Sequence, residues 1–231
     1  MSVSAVDIVI PCFKPNLHLL TRCLQKLEEH TDVPHSILVV GDGFIPEDAV
    51  VLRKLLAELT NPHQLVHSHV VTFPQPVYLQ RCVTHALSFL SPEAQIAVFL
   101  PPNLHLVDPA WFGKVQEPLM KDGLAAAVFF GCEQYDYSVE PARVEHAPNF
   151  FPAVAVSRRF LSEANLSAGE WGDLPMKIAS SAAVIGCTCW AVQSVSCESY
   201  TAVAYAPPRP ASAYPGKKVG ITAGTDPRHD R

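Results

Sequence analysis

The stretch Ile96–Phe112, with the sequence IAVFLPPNLHLVDPAWF, constrains the fold of this 231-residue chain more than any other. Residues 96–100 form an unbroken apolar run of branched and aromatic side chains, which is typical of a strand buried on both faces of a parallel sheet. Pro101 and Pro102 are expected to end this strand, because proline cannot donate to a sheet ladder. Asn103 then follows the carboxyl end of the strand, the edge at which open α/β sheets bind ligands.

Strand-like and helical patterns alternate on both sides of this stretch. Short apolar runs predict strands at residues 7–11, 36–40, 65–71 and 124–131, and amphipathic patterns predict helices over residues 17–30, 46–59 and 77–90. Asp108 is a candidate N-cap for a helix over residues 111–121 that ends at Gly123. The alternation predicts parallel strands joined by right-handed crossovers. The second half is less regular, with a loop predicted at 133–148, strands at 150–156 and 182–195, and helices near 158–164 and within 169–179.

Composition excludes several classes of protein. Hydrophobic residues make up 48% of the chain, which is enough for a sizeable core, and the net charge of -5 argues against a broad nucleic-acid footprint. No apolar run has the length of a membrane span and the N-terminus lacks a signal-peptide pattern, so we expect a cytoplasmic protein without a membrane span. The cysteine count is seven, an odd number, and several cysteines lie inside apolar runs, which favours buried thiols in a reducing compartment over disulfides.

Proline content divides the chain into two parts. Residues 1–205 carry the alternating pattern and are predicted to form one domain, whereas residues 206–231 are rich in proline and lysine and show no apolar periodicity. We interpret the latter as an extended C-terminal tail that contacts a protein partner or a second copy of the chain.

The central stretch resembles the core of glycosyltransferase family 2, which has the GT-A fold. In that family a similar strand ends in an Asp-x-Asp motif, and a hydrophobic-x-Pro-x-Trp-Phe segment follows. Residues 107–112, Val-Asp-Pro-Ala-Trp-Phe, match that continuation, but Pro101-Pro102-Asn103 replaces the Asp-x-Asp and both carboxylates are missing. The resemblance implies an α/β fold with a mostly parallel central sheet flanked by helices, and a nucleotide-diphosphate sugar as the donor.

Two further motifs suggest where the base of the nucleotide would bind. DIVIPCFKPN is similar to the opening motif of the family, and its Pro11 and Phe13 are the residues expected to wall the base. ILVVGDGF is similar to the family's VVDDGS, in which an acidic residue reads the base. Gly41 replaces the first acidic residue and Asp42 retains the second, although Asp42 before a glycine also suits an ordinary turn.

Arg81 and two acidic residues complete the set implied by the resemblance. Arg81, in PVYLQRCVTHAL, matches an arginine of a family helix and would contact phosphate oxygens, or else pair with a core carboxylate. Asp173 and Glu170, in GEWGDL, resemble the acceptor-side segment whose aspartate is the general base. The alternative is that these two acidic residues only favour a helix N-terminus through the helix dipole.

The missing carboxylates decide what the resemblance implies about metal and activity. A divalent metal, manganese or magnesium, is usual in the family, but the neutral amide of Asn103 cannot replace two charges, so no metal site is predicted at residues 101–103. His105 is interpreted as a packed core side chain. The implied function is transfer of a sugar to an unknown acceptor hydroxyl with weakened or no metal dependence. The alternative is a catalytically inactive GT-A module that docks a partner through its tail. A nucleotidyltransferase shares the fold but usually opens with a Gly-rich basic loop, which this chain lacks.

Overall fold

A computed structural model describes residues 6–60, 63–75, 78–131, 141–144, 153–164, 166, 174–192 and 194–200, with backbone alone for residues 78–81. The strands are β1 (Val6–Phe13), β2 (His35–Asp42), β3 (Leu65–Phe73), β4 (Ile96–Phe99), β5 (Leu104–Leu106), β6 (Ala125–Phe130), β7 (Ala142–Val144), β8 (Ala153–Ser157), β9 (Thr188–Val192) and β10 (Cys197–Ser199). The helices are α1 (Leu17–His30), α2 (Pro46–Leu59), α3 (Tyr78–Leu87), α4 (Trp111–Lys121), α5 (Arg158–Glu163) and α6 (Leu174–Val184).

Eight strands form one mixed sheet in the order β3-β2-β1-β4-β8-β6-β9-β7, and β5 and β10 form a separate antiparallel pair. Strands β1 to β4 run parallel, β8 lies antiparallel between β4 and β6, and β9 runs parallel to β6. Strands β1, β2, β4 and β6 therefore end at the same edge of one sheet, as predicted. The predicted α/β class, with a mostly parallel sheet flanked by helices, is confirmed.

Helices cover both faces of the sheet and bury a core on each side. Leucines on one side of α1 and α2, together with Trp111 of α4, pack against one face. Cys82 and Val83 of α3, Phe160 of α5 and Ile178 of α6 pack against the other face. These apolar stripes recur with the 3.6-residue helical period, so each helix buries one side and leaves the other in solvent.

Pro11 does not end β1, which is a correction of the sequence prediction. The strand continues to Phe13, and Pro11 is paired in register with Val40 of β2. The carbonyl of Val9 accepts a hydrogen bond from the Leu100 amide, so the backbone groups of residue 9 face β4. The nitrogen of Pro11, two residues later, faces the same side but lies beyond the end of β4. No ladder hydrogen bond is lost, and proline is tolerated in a central strand for that reason.

The predicted ends of two other elements also needed correction. Asp108 is not the N-cap of α4: the helix is capped at Ala110, and Asp108 Oδ1 accepts a hydrogen bond from the Ala110 amide at 2.9 Å. Asp122, and not Gly123, is the residue at its C-cap. The strand predicted at 182–195 is shorter, because α6 continues to Val184 and β9 begins at Thr188.

Several predictions concern segments that are described in part or not at all. The loop predicted at 133–148 contains β7, which pairs antiparallel with β9, and the rest of it lies outside the described residues. The tail at 206–231 lies outside them as well, so the division at residue 205 stays a prediction. The cysteines that the structure describes, six in number, are free thiols. In the described ranges, every helix is too short or too polar to cross a bilayer.

Candidate functional site

A buried carboxylate lies between two aromatic residues at the carboxyl edge of the sheet. The register of the parallel strands pairs Phe13 of β1 with Asp42 of β2, and Asp42 with Phe73 of β3. Asp42 is only 2% exposed, whereas both phenylalanines are half-buried. Pro11 is buried two residues inside the strand, so Phe13 is the residue of this predicted pair that reaches the edge. An acceptor between two rings is suited to a flat ring that carries an N–H donor.

Two glycines shape the end of β2. Gly43 has a φ of 78°, which favours glycine, and its amide donates to the Phe73 carbonyl at 2.9 Å. A Cβ atom at Gly41 would lie 2.9 Å from Cδ2 of the buried Phe44 ring. The family motif has an acidic residue at this place, and here a side chain would clash with the Phe44 ring unless the ring moved. The loss of the first acidic residue therefore has a steric reason, and Asp42 is the acidic residue that this backbone accommodates.

Helix α3 brings Cys82 close to Asp42 on the opposite face of the sheet from Phe44. Burial raises the pKa of the Cys82 thiol, and the negative charge of Asp42 raises it further. The thiol is therefore protonated and adds no charge beside the carboxylate. Arg81 lies in the same helix, but its side chain is outside the described part of the structure. Its contact with phosphate stays a prediction.

Lys14 is a candidate that the sequence did not single out. Its Nζ lies 2.6 Å from Asp48 Oδ2 and 6.0 Å from the centroid of the Phe44 ring. The hydrogen bond from Lys14 lowers the pKa of Asp48, which also accepts the Ile45 amide at the start of α2. Lys14 follows β1 directly, and this position beside a strand end is the signal that would have identified it. In the family motif this position is variable.

Asn103 lies at the same carboxyl edge, where it was predicted, but its amide is already used. The Tyr200 amide donates to the Asn103 carbonyl at 2.9 Å, and Asn103 Nδ2 donates to the Tyr200 carbonyl at 3.3 Å. Pro101 and Pro102, which precede it, are buried. The loop that replaces the Asp-x-Asp motif is therefore fastened to the segment that follows β10.

His105 and Arg22 both contact the ring of Tyr200. The His105 ring is fully buried, lies 4.5 Å from the Tyr200 ring and has its Nε2 3.1 Å from the Pro102 carbonyl. Burial lowers the pKa of His105, so the ring is neutral and its Nε2 donates to that carbonyl. The guanidinium of Arg22 lies over the Tyr200 ring, with its Cζ atom 4.8 Å from the ring centroid. This geometry agrees with the interpretation of His105 as a packed side chain.

A divalent metal does not fit this loop. Pro101 and Pro102 have no ligand atoms in their side chains, Asn103 offers one neutral oxygen, and His105 Nε2 is used by Pro102. Hard cations take several oxygen ligands that carry charge. Across the described ranges of the chain, no three His, Cys, Asp or Glu side chains come close enough together to hold a metal ion.

The two predicted catalytic acids, Asp173 and Glu170, lie outside the described residues. The helix that follows them, α6, begins at Leu174, and Leu174 and Pro175 are buried. Both the general-base role and the helix-dipole alternative stay predictions. The structure thus brings Phe13, Asp42 and Asn103 to one edge and places Lys14 beside them.

Comparison with known proteins shows which solved structures share this architecture. No protein-family model matches the sequence, and no curated protein sequence does. A mannosyltransferase from Pyrobaculum calidifontis, solved with GDP-Man and Mn²⁺, superposes with a TM-score of 0.66 at 16% identity, covering 86% of this chain and 57% of that one. The protein has a GT-A fold. Glucosyl-3-phosphoglycerate synthase from Mycobacterium tuberculosis, solved with Mg²⁺ and UDP, gives a TM-score of 0.60 at 12% identity over 87% of this chain and 73% of that one.

A further solved structure matches over most of its own length. The 4-diphosphocytidyl-2C-methyl-D-erythritol synthase from Anaerococcus prevotii matches with a TM-score of 0.51 at 10% identity, over 82% of this chain and 87% of that one. At these identities the likeness shows the fold alone. The chain spans less than two thirds of the mannosyltransferase. Membership of glycosyltransferase family 2 stays a prediction.

Proposed function

We propose that this GT-A domain binds a nucleotide-diphosphate sugar at the carboxyl edge of β1 and β2 and transfers its sugar to an acceptor hydroxyl. The observation that carries the proposal is the buried Asp42 in register between Phe13 and Phe73. The mannosyltransferase and the glucosyl-3-phosphoglycerate synthase support the proposal, since they were solved with GDP-Man and with UDP.

Recognition of the base follows from the surroundings of Asp42. An ionised carboxylate accepts hydrogen bonds only, and its bond to an N–H group of a base is stronger where water is excluded. The half-buried ring of Phe13 would offer one face to the base, and aromatic stacking on a base contributes roughly 1–3 kcal/mol. This pairing selects bases with an N–H donor on the edge that meets Asp42.

The charge of the diphosphate would be neutralised by side chains and not by a metal. Lys14 carries an ammonium group at this edge, where it pairs with Asp48, and Arg81 is a residue of α3. Fixed cations stabilise the charge that develops on a leaving group. Because the ligands for manganese or magnesium are missing from the loop at 101–103, transfer is expected to show weak metal dependence or none.

The acceptor hydroxyl would lose its proton to Asp173 or Glu170, the acidic pair preceding α6. A carboxylate within hydrogen-bond reach of that hydroxyl acts as general base, and catalysis by such a base typically contributes 10²–10⁴-fold.

The experiment is a thermal-shift screen of UDP-, GDP- and CDP-sugars, each with manganese and with a chelator. Binding to the folded state raises Tm, by roughly 5–10 °C for a domain of this size at a hundredfold excess over Kd. We expect one base class to raise Tm equally under both conditions. Asp42→Asn should abolish the shift, and Asp32→Asn, at an exposed aspartate, is the matched control that should keep it.

Two outcomes separate the proposal from its alternatives. If no nucleotide sugar raises Tm, or if Asp42→Asn responds like the unmodified chain, the binding site is wrong. If the shift is present but no nucleoside diphosphate is released with any acceptor tried, and Asp173→Asn changes nothing, the domain is the inactive binding module.

A further inference from the structure

A cavity lies at the amino edge of the sheet, opposite the candidate donor site. It has a volume of about 200 Å³. Residues in the first half of β1, β2 and β3 and the segment after α3 line it. The register joins three of its residues in one row across the strands, Asp7 with Ser36 and Ser36 with His67. His69, Phe89 and Glu93 also line the cavity.

Ser36 is the feature that points to a ligand. Ser36 is 8% exposed and lines the cavity, and among the described residues its hydroxyl has no hydrogen-bond partner. The large majority of buried polar groups are paired, because an unpaired one loses its bonds to water without replacement. A ligand in the cavity would supply the missing bond.

Two carboxylates, those of Asp7 and Glu93, lie among the polar groups that line the cavity with Ser36. Asp7 is 4% exposed, and its Oδ2 accepts the Ser91 amide at 2.6 Å. The Ser91 hydroxyl donates a hydrogen bond to Glu93 Oε2 at 2.6 Å, and this bond lowers the pKa of Glu93. Among the described residues that line the cavity, none is a lysine or an arginine. The complement to two carboxylates and a hydroxyl is a cation with N–H donors.

The remaining wall is aromatic. Phe89 is 40% exposed, and its ring lies 5.9 Å from the His69 ring and 5.2 Å from the His85 ring. An aromatic face packs against an alkyl stem and attracts a cation. The volume corresponds to about seven water molecules, which suits a short chain and is too small for a nucleotide. His67 and His69 do not form a metal centre with the carboxylates, since the described side chains contain no set of three metal ligands.

We propose that the cavity formed by Asp7, Ser36, His67 and Glu93 binds a primary alkylammonium group, from a free amine or from a lysine side chain. The ammonium donates to Ser36 and to the two carboxylates, and its alkyl stem lies along Phe89. The site is independent of the donor site, because the two are at opposite edges of the sheet.

The test is an NMR titration of the full chain with n-butylamine, and with 1-butanol as the neutral probe of the same length. We expect butylamine, and not butanol, to shift the imidazole signals of His67 and His69. Ser36→Ala should weaken binding roughly tenfold without lowering Tm, because it removes a hydroxyl that is unpaired in the free protein. Ser68→Ala, at an exposed serine on the same strand as His67 and His69, should bind like the unmodified chain.

Further arms identify the source of the ammonium and can overturn the assignment. Tighter binding of N-acetyl-lysine methylamide than of butylamine would indicate a lysine of a protein, and weaker binding a small amine. Glu93→Gln should reduce the affinity of both. The proposal is wrong if butanol binds as well as butylamine, if Ser36→Ala leaves the affinity unchanged, or if zinc chloride shifts both histidines while butylamine does not.

Discussion

At the residue scale, the space beside Gly41 is filled by the ring of Phe44. An added Cβ would lie 2.9 Å from that ring, so Gly41→Ala should lower the free energy of unfolding by about 1–3 kcal/mol through overpacking. Urea denaturation measures the change. Gly113→Ala is the matched control, since nothing lies within 4 Å of its added Cβ and it is in helix α4, where alanine is favoured by up to about 1 kcal/mol. Equal effects of the two substitutions would contradict the steric explanation.

Asn103 carries a prediction about metal. Its amide is bonded to Tyr200 and the two preceding residues are prolines, so calorimetry should show no micromolar binding of manganese. Asn103→Asp adds a single carboxylate and should not create a tight site either. Micromolar binding that disappears in Asn103→Ala would show that this loop holds a metal after all.

The sequence located some site residues and could not locate others. Asp42 and Phe13 could be placed because each ends an apolar run, and strand ends of a parallel sheet share an edge. The pairing of Asn103 with Tyr200 could not, since it joins residues 97 positions apart through a short strand with no alternating pattern. The requirement for glycine at position 41 depends on the packing of the Phe44 ring against β2, which no local sequence pattern indicates.

At the element scale, β10 pairs antiparallel with β5 and is also held through the residue that follows it, Tyr200. The Tyr200 ring contacts His105 and Arg22, and its hydroxyl donates to Glu198 Oε2 at 2.5 Å. Tyr200→Ala should loosen the β5–β10 pair, so the Val107 amide, which donates to the Ser196 carbonyl, should exchange faster with solvent. Hydrogen exchange measures this, with Tyr200→Phe as the control that keeps the ring. Unchanged protection of Val107 in Tyr200→Ala would mean that the strand pair does not depend on the ring.

Element boundaries were predictable in proportion to the length of the pattern. The bounds of α1 and α2 agree with the prediction to the residue, because several turns of amphipathic sequence define them. Strand β8 was found, but its antiparallel direction was not, since five apolar residues fit either direction. β7 is only three residues long and was predicted to be loop.

At the scale of the whole molecule, the buried thiols couple the fold to pH. Burial raises the pKa of Cys12 and of Cys189 from 9.0 to about 12, and it also raises the pKa of Cys23 and Cys82. A thiol whose pKa is higher in the folded state stays protonated there while the unfolded chain has already lost the proton. Its contribution to stability is therefore complete below about pH 9 and is lost as the pH rises toward 12.

The free energy of unfolding should therefore be level near neutral pH and fall steeply at alkaline pH. Each buried thiol contributes a slope of up to about 1.4 kcal/mol per pH unit to the free energy of unfolding. Several buried thiols together would therefore set the alkaline pH at which the protein unfolds. Urea midpoints measured under reductant across this range give the slope. Cys12→Ala removes one such group and should make the decline shallower, whereas Ser68→Ala, at an exposed serine, should leave it unchanged. A level profile up to about pH 11, or folded-state thiols that react with a disulfide reagent as fast as in urea, would show that these cysteines are not shielded.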